Sequence, residues 1–334
     1  MNKSNFFRLL FIFLAIIQSS IFSLSNYNIV FVHIGEKLPT YSFEAIKQAR
    51  LFNPDSNIYF LAEKKLESQI KENLFKENIE VVALESLKQS KEHLYFQKNF
   101  IKNNNFWVFT TERFFYLQEF IEERNLQKTF HLENDIMLYC CLKELLPIFE
   151  NYYIDKLGLT LDHDNRCIPG FVYVDQSKPL KEFIHFLYAK KFNRKDNDMV
   201  LLAEFINKYP TYAKTLPIVP PNYSYQLGLV NSYNKKVKNP SQYFKYFERF
   251  QSIFDAAALG QYLGGTHTMG TFGFINETSC FDPSKFEYLW EKDDKMRFVP
   301  YLIFNKEKIR INNLHIHSKK LLNFYSLNPN CGKL

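Results

Sequence analysis

TTERFFYLQEFIEERNLQKTFHLENDIMLY, residues 110–139, contains the change of hydrophobic period that decides the fold. From about Thr111 the apolar side chains of Phe114, Leu117 and Ile121 recur at helical spacing on one side. Residues 128–132 (KTFHL) then read as a buried strand that runs straight into Glu133-Asn134-Asp135. Upstream the same alternation repeats. Residues 28–34 (NIVFVHI) form a strand followed by a loop from Gly35 to Pro39, residues 42–52 a helix, and residues 57–61 (NIYFL) a second strand. Leu66, Ile70 and Leu74 share a helix face, and residues 79–84 (IEVVAL) make a third strand. Strands alternating with helices predict an α/β fold, a mainly parallel sheet flanked by helices. Ligands of such sheets bind outside the carboxyl ends of the strands, and the acidic triplet falls at one of those ends.

The composition limits what the chain is. It has 334 residues, 46% hydrophobic and 23% charged, with ten Gly and 13 Pro, which excludes a disordered, collagenous or small disulfide-stapled protein. Forty-two Lys and Arg against 35 Asp and Glu give a net charge of +7. The lysines are spread along solvated faces with no basic run between stacking aromatics, so nucleic acid is not an expected partner. Five cysteines at 140, 141, 167, 280 and 331 form no metal-type or disulfide-framework spacing. Thirty-five Phe and 21 Tyr carry no functional weight as composition. No hydrophobic face is distinctive enough to predict an oligomer.

Residues 1–25 read as a secretory signal, with Lys3 and Arg8 ahead of apolar residues 9–17 and Ser23-Leu24-Ser25 before a cut at Asn26. The chain is therefore expected in the secretory pathway. The alternative is an uncleaved anchor over residues 9–24, shorter than the roughly 20 residues a span needs, and only then is membrane contact expected.

Glu133 and Asp135 stand two residues apart where a strand stops, so both side chains point toward one crevice. Hard divalent cations want oxygen ligands, and Mg²⁺ or Mn²⁺ commonly takes one or two carboxylates while substrate phosphates fill other positions. The other reading is a polar loop capping the helix that starts near Leu142. Near the C-terminus, Leu314-His315-Ile316-His317 alternates within an expected strand 311–317, putting both imidazoles on one face. Such a pair suits a divalent metal or a diphosphate, and Lys319 and Lys320 follow it.

Five of the ten glycines, Gly260, Gly264, Gly265, Gly270 and Gly273, fall within 14 positions alongside Gln261, Thr266, His267 and Asn276. A helix over 255–262 would end in this turn, with Gly264 and Gly265 letting backbone approach a ligand; a plain helix end and loop is the alternative. Asp255 is a candidate catalytic carboxylate. Trp290 either stacks on a ligand face or packs in the core.

Residues 110–139 resemble the stretch in GT-A-fold glycosyltransferases where an Arg-bearing helix leads into a strand ending in the metal-binding DxD. Here the pattern reads Glu-Asn-Asp. The resemblance implies a GT-A-like catalytic domain over residues 26–334, with 26–140 as nucleotide-binding half and 141–334 as sugar and acceptor half. It implies that Asp135 ligates Mn²⁺ or Mg²⁺ and that Glu133 contacts the metal through water or holds the ribose. Arg113 would sit near the nucleotide or its phosphates, unless it forms a surface ion pair with a neighbouring Glu.

Residues 157–162 (LGLTLD) and 167–174 (CIPGFVYV) look like the family's donor-sugar strand and glycine loop, placing Asp162 and Gly170 near the donor. Asp198, opening a helix over 199–205, resembles the acidic motif beside the acceptor, a general base in an inverting enzyme or a sugar-binding group in a retaining one. The helix dipole alone also favours Asp there. The family's C-terminal His, followed by a Lys that reaches phosphate, implies one of His315 and His317 as ligand and Lys319 or Lys320 on phosphate. Taken together, the resemblance implies a hexosyltransferase-like enzyme using a nucleotide-diphosphate sugar and a glycan-type acceptor. The alternatives are a sugar-nucleotide hydrolase or nucleotidyltransferase, or a secreted carbohydrate-binding protein without catalysis.

Overall fold

The computed structural model describes residues 27–100, 106–190, 196–231, 233–268 and 270–333, and the expected signal over residues 1–25 lies outside them. Strands β1 (Asn28–Val32), β2 (Asn57–Ala62), β3 (Glu80–Ala83) and β4 (Thr129–Leu132) are parallel in the order β3-β2-β1-β4. The strand pair β5 (Ile136–Leu138) and β13 (Asn313–His315) stands apart from them. Strands β6 (Leu157–His163), β7 (Arg166–Val174) and β8 (Ala213–Thr215) extend the main sheet beyond β4 in the order β7-β6-β8. Of these only β7 runs against the rest. All five residues of β1 are buried, as a strand covered on both sides requires. This is the α/β layout expected from the alternating pattern.

The chain builds outward from β1 to β3 and then returns to place β4 on the other side of β1. The order reverses between β1 and β4, the position at whose carboxyl strand ends ligands of such sheets bind. Asn134 ties those two strand ends together by donating from Nδ2 to the Val32 carbonyl at 3.2 Å. The helix before β4 spans Phe106–Glu123, starting earlier than Thr111 because Val108 is also buried. Its residues Phe114, Leu117 and Ile121 are buried as the period requires.

The abundance of Phe has a structural account. Phe130 on β4 packs against Phe149 at 5.2 Å, Tyr173 at 5.1 Å and Phe171 at 5.8 Å between ring centroids. Phe254 meets Phe171 at 4.9 Å, and Phe250 meets Phe149 at 5.3 Å. Each such pair adds about 0.5–1.5 kcal/mol beyond burial. Residues on either side of position 140 therefore share one sheet and one aromatic core.

A second sheet, ordered β10 (Glu287–Lys292), β11 (Phe298–Phe304), β12 (Glu307–Ile311), β9 (Ser252–Ile253), was not read from the sequence. The expected strand 311–317 is divided at Asn312 between β12 and β13. Asn312 is gripped there, its N–H on the Ile253 carbonyl at 2.9 Å and its Nδ2 on Ser252 Oγ at 2.8 Å. The chain thus leaves one sheet and joins β5 antiparallel, setting His315 opposite Ile136. Among the described residues, no helix is long and apolar enough to cross a membrane.

Candidate metal and nucleotide site

The β5–β13 pair brings the two ends of the chain's acidic and histidine motifs together. Ile316 N donates to the Asp135 carbonyl at 3.0 Å, and Glu133 N donates to the Gly170 carbonyl at 3.0 Å. His315 Nε2 consequently lies 3.1 Å from Asp135 Oδ2 and 3.3 Å from Glu133 Oε2. One ligand atom from each of Glu133, Asp135 and His315 can be chosen so that all lie within 4.8 Å of one another. Lys319 adopts a left-handed backbone (φ 63°) and turns its ammonium onto Asp135 Oδ2. Lys320 is exposed, so of the two lysines only Lys319 reaches the cluster.

The charges of the cluster are mutually sustained. Burial alone would raise the Asp135 carboxyl, but the neighbouring His315 and Lys319 hold it well below the usual carboxylate range. Burial likewise opposes ionisation of Glu133, and Arg113 followed by His315 brings it below its ordinary value. His315 is pulled down by burial and pushed further up by Asp135, to about 9. His317 has its ring centroid 4.3 Å from that of His315 and is driven down to about 2 by burial and by His315. Both histidines do face one side, but His315 meets the carboxylates while His317 Nε2 is buried without a hydrogen-bond partner.

Arg113 is not in a surface pair. It is 8% exposed, binds Glu133 Oε1 through Nη1, and reaches Asp198 Oδ2 at 2.7 Å through Nη2. Asp198 Oδ1 accepts from Thr110 Oγ1 at 3.2 Å. The Asp198–Lys208 helix is capped by Asn197, whose side chain accepts from Val200 N, so Asp198 is free to turn toward Arg113. Arg113 is therefore a buried clamp between the triplet and this helix.

Several sequence expectations are corrected by packing. Gly170 lies inside β7, not in a loop, and a Cβ there would stand 2.8 Å from Ile136 Cδ1 and 3.1 Å from His315 Nδ1. Its bareness makes room for the imidazole. The expected helix over 255–262 spans Ala258–Gly264 with Ala257 as its N-cap, and Asp255 lies ahead of it, its carboxylate accepting from the first-turn N–H groups of Leu259 and Gly260. Both Asp255 oxygens are taken by backbone N–H groups, those of Leu259, Gly260 and His315, which sets aside its reading as a catalytic carboxylate. A Cβ on Gly264 would stand 3.1 Å from Phe324 Cζ and one on Gly265 2.8 Å from the Thr271 carbonyl oxygen, so local packing already calls for both glycines. Trp290 packs edge-on against Tyr139 at 5.5 Å and tilted against Phe324 at 6.2 Å, which takes it away from sugar stacking.

Asp162 is fully buried at the end of β6, its Oδ2 accepting from Thr278 Oγ1 at 2.7 Å while its Oδ1 has no hydrogen-bond partner. Asn276 Oδ1 accepts from Thr278 N at 3.0 Å, and its buried Nδ2 also lacks a hydrogen-bond partner. The Cys167 thiol is raised by burial first, and further by Asp198, Asp162 and Glu133. Thr278 was missed in the sequence, where a Thr in a polar loop gives no signal of its own.

No family model matches the chain, and no curated protein matches it by sequence. Among solved structures, mouse xyloside xylosyltransferase 1 in its apo form is similar over 60% of this chain and 90% of its own, at 10% identity and a TM-score of 0.43. Core-mannan synthase A of Aspergillus fumigatus, solved with Mn and GDP, is similar over 58% of this chain and 73% of its own, at 9% identity and 0.40. A cytidylyltransferase of Leptospira borgpetersenii is similar over 57% of this chain and 76% of its own, at 10% identity and 0.35. The solved structures that resemble this chain thus include both glycosyltransferases and nucleotidyltransferases.

Proposed function

We propose that this protein is a metal-dependent glycosyltransferase that moves a sugar from a nucleotide-diphosphate donor to a glycan-type acceptor. The observation that carries this reading is the convergence of Glu133, Asp135 and His315 at the carboxyl end of a parallel strand, with Lys319 beside them. Two carboxylates and an imidazole are a donor set suited to Mn²⁺ or Mg²⁺, with Glu133, Asp135 and His315 as the holding residues. A cation bound there would supply Lewis-acid neutralisation of charge on the departing diphosphate.

The chain's own residues do the rest. Lys319, half-buried and flexible, offers a point charge to a phosphate oxygen once it leaves Asp135. Arg113 fixes Glu133 and Asp198 relative to one another. Both Asp198 oxygens already accept hydrogen bonds, so in this reading Asp198 orients Arg113 and a sugar hydroxyl instead of taking a proton. The unpaired Asp162 Oδ1 and Asn276 Nδ2 supply one acceptor and one donor, the pair a sugar hydroxyl requires. Incubation with nucleotide sugars, metal and candidate acceptors tests the proposal. Nucleotide release that depends on added acceptor supports transfer. Equal release without acceptor would assign hydrolysis, and nucleotide affinity indifferent to metal would reject the metal-dependent reading.

A further inference from the structure

We infer that Asp255 is a positioning residue for His315, acting with Ala256 and Gly260 to aim Nε2 at the two carboxylates. The inference rests on the metal-site reading above and adds a role for a segment distant from it in sequence. Asp255 follows β9, and its carboxylate joins two elements. Oδ1 accepts from Leu259 N at 3.0 Å, and Oδ2 accepts from both Gly260 N at 2.9 Å and His315 N at 3.0 Å. Its carbonyl accepts from Asn313 Nδ2 at 3.0 Å, so one residue holds β13 at two points, the Asn313 side chain and the His315 backbone.

The ring is fixed by the neighbour. His315 Nδ1 lies 3.1 Å from the Ala256 carbonyl. A carbonyl oxygen only accepts, so Nδ1 must carry a proton; Nε2, which donates to Asp135 while the ring is an imidazolium, is the nitrogen that would give up its proton and offer a lone pair to an incoming cation. Nε2 is the nitrogen that faces Asp135 and Glu133. Histidine ligands commonly owe their tautomer to such an outer hydrogen bond.

Gly260 makes the arrangement possible. A Cβ at this position would stand 2.1 Å from the His315 carbonyl oxygen and 2.6 Å from its carbon, an overlap no side chain adjusts to without backbone movement. The glycine therefore sets how deeply the Ala258–Gly264 helix seats on β13, and Asp255 locks it there. A carboxylate is required because three N–H groups converge on it. Asn would offer one oxygen and would turn its own NH₂ toward at least one of those donors.

The test uses Mn²⁺ as probe on the full chain. Wild-type protein should bind Mn²⁺ with electron spin-echo modulation from an imidazole nitrogen. Asp255→Asn should weaken Mn²⁺ binding roughly 10–100-fold and lose that nitrogen modulation while keeping its circular dichroism spectrum. A role confined to stability would lower the melting temperature and leave the nitrogen coupling of bound Mn²⁺ intact, which would overturn the inference. Should Asp255→Asn fail to fold, ¹⁵N spectra of the Mg²⁺-loaded wild type decide: a proton on Nδ1 of His315 supports the inference, and a proton on Nε2 overturns it. Wild-type protein that binds Mn²⁺ without nitrogen coupling, or not at all, rejects the metal site itself and the positioning role with it.

Discussion

Two places in this molecule set a histidine between two glutamate or aspartate carboxylates, and they do opposite things with it. At the strand ends, Glu133 and Asp135 converge on the single nitrogen Nε2 of His315, and Nδ1 is occupied by a backbone carbonyl. Between the Lys91–Phe100 and Phe106–Glu123 helices, the carboxylates diverge. His93 Nδ1 meets Glu119 Oε2 at 2.9 Å and Nε2 meets Glu112 Oε1 at 3.2 Å, one carboxylate on each side of the ring. Glu119 also accepts from Ser90 N at 2.7 Å, Glu112 from Gln97 Nε2 at 2.9 Å, and the ring packs against Phe115 and Tyr116. Residue types alone therefore do not distinguish a chelating site from a pin between helices. Geometry separates the two, and among the described residues only the first cluster has three potential ligand atoms gathered together.

The comparison breaks most decisively at Asp135. Asp135→Asn should reduce metal-dependent transfer by roughly 10²–10³-fold, the scale of losing a charge-stabilising group at a reacting centre. Steady-state kinetics with and without Mn²⁺ check it, and full activity would remove the distinction drawn above. The mirror experiment is Glu119→Ala, which strips one partner from a buried ion pair. Urea unfolding should show a loss of about 3–5 kcal/mol with Mn²⁺ affinity unchanged. If Mn²⁺ binding falls instead, the His93 cluster is linked to the site and is not merely structural.

Smaller effects sharpen the contrast. Lys319→Ala should weaken nucleoside-diphosphate binding about 10–100-fold, the worth of one hydrogen bond to a charged group, whereas Lys320→Ala should leave calorimetric titrations unaltered. The smallest effect is on pH. Burial pulls His93 down, but Glu112 and Glu119 more than offset it and raise it above its ordinary value. The ion pairs then stabilise the fold fully below the unfolded histidine pKa of about 6.5, and that contribution is lost as pH rises through the raised folded value. His93→Gln should flatten this alkaline fall when melting temperature is followed from pH 6 upward. A difference between the two proteins that grows with pH would contradict the assignment.

Much of the fold was legible because its signals are local. The runs at β1, β2, β3, β6 and β7 are apolar and short, and the helices between them repeat at helical spacing. Glu133, Asp135 and the pair His315 and His317 could be nominated from types and spacing at strand ends, but not which histidine meets the carboxylates. What could not be read is what depends on contacts between distant residues. Asp255 looked like a free carboxylate because nothing in its neighbourhood announces that His315 N, 60 residues away, would donate to it. Gly170 was expected near the donor and Gly260 was only one of a cluster of glycines, and each clears space for His315. Strand β5 was missed because Ile136–Leu138 is too short to show a period, and the His93 cluster because its members come from two helices.

The central claim, that Glu133, Asp135 and His315 hold a cation for a nucleotide diphosphate, is tested most directly by thermal shift of the wild-type chain. Nucleoside diphosphates and nucleotide sugars would be screened at saturating concentration with and without Mn²⁺. At 100 times its dissociation constant a ligand stabilises the native state by about 2.7 kcal/mol, a readily measured rise in melting temperature. The account predicts a rise that needs nucleotide and Mn²⁺ together and that disappears in Asp135→Asn. A rise of the same size without metal, or one that survives in Asp135→Asn, would contradict it.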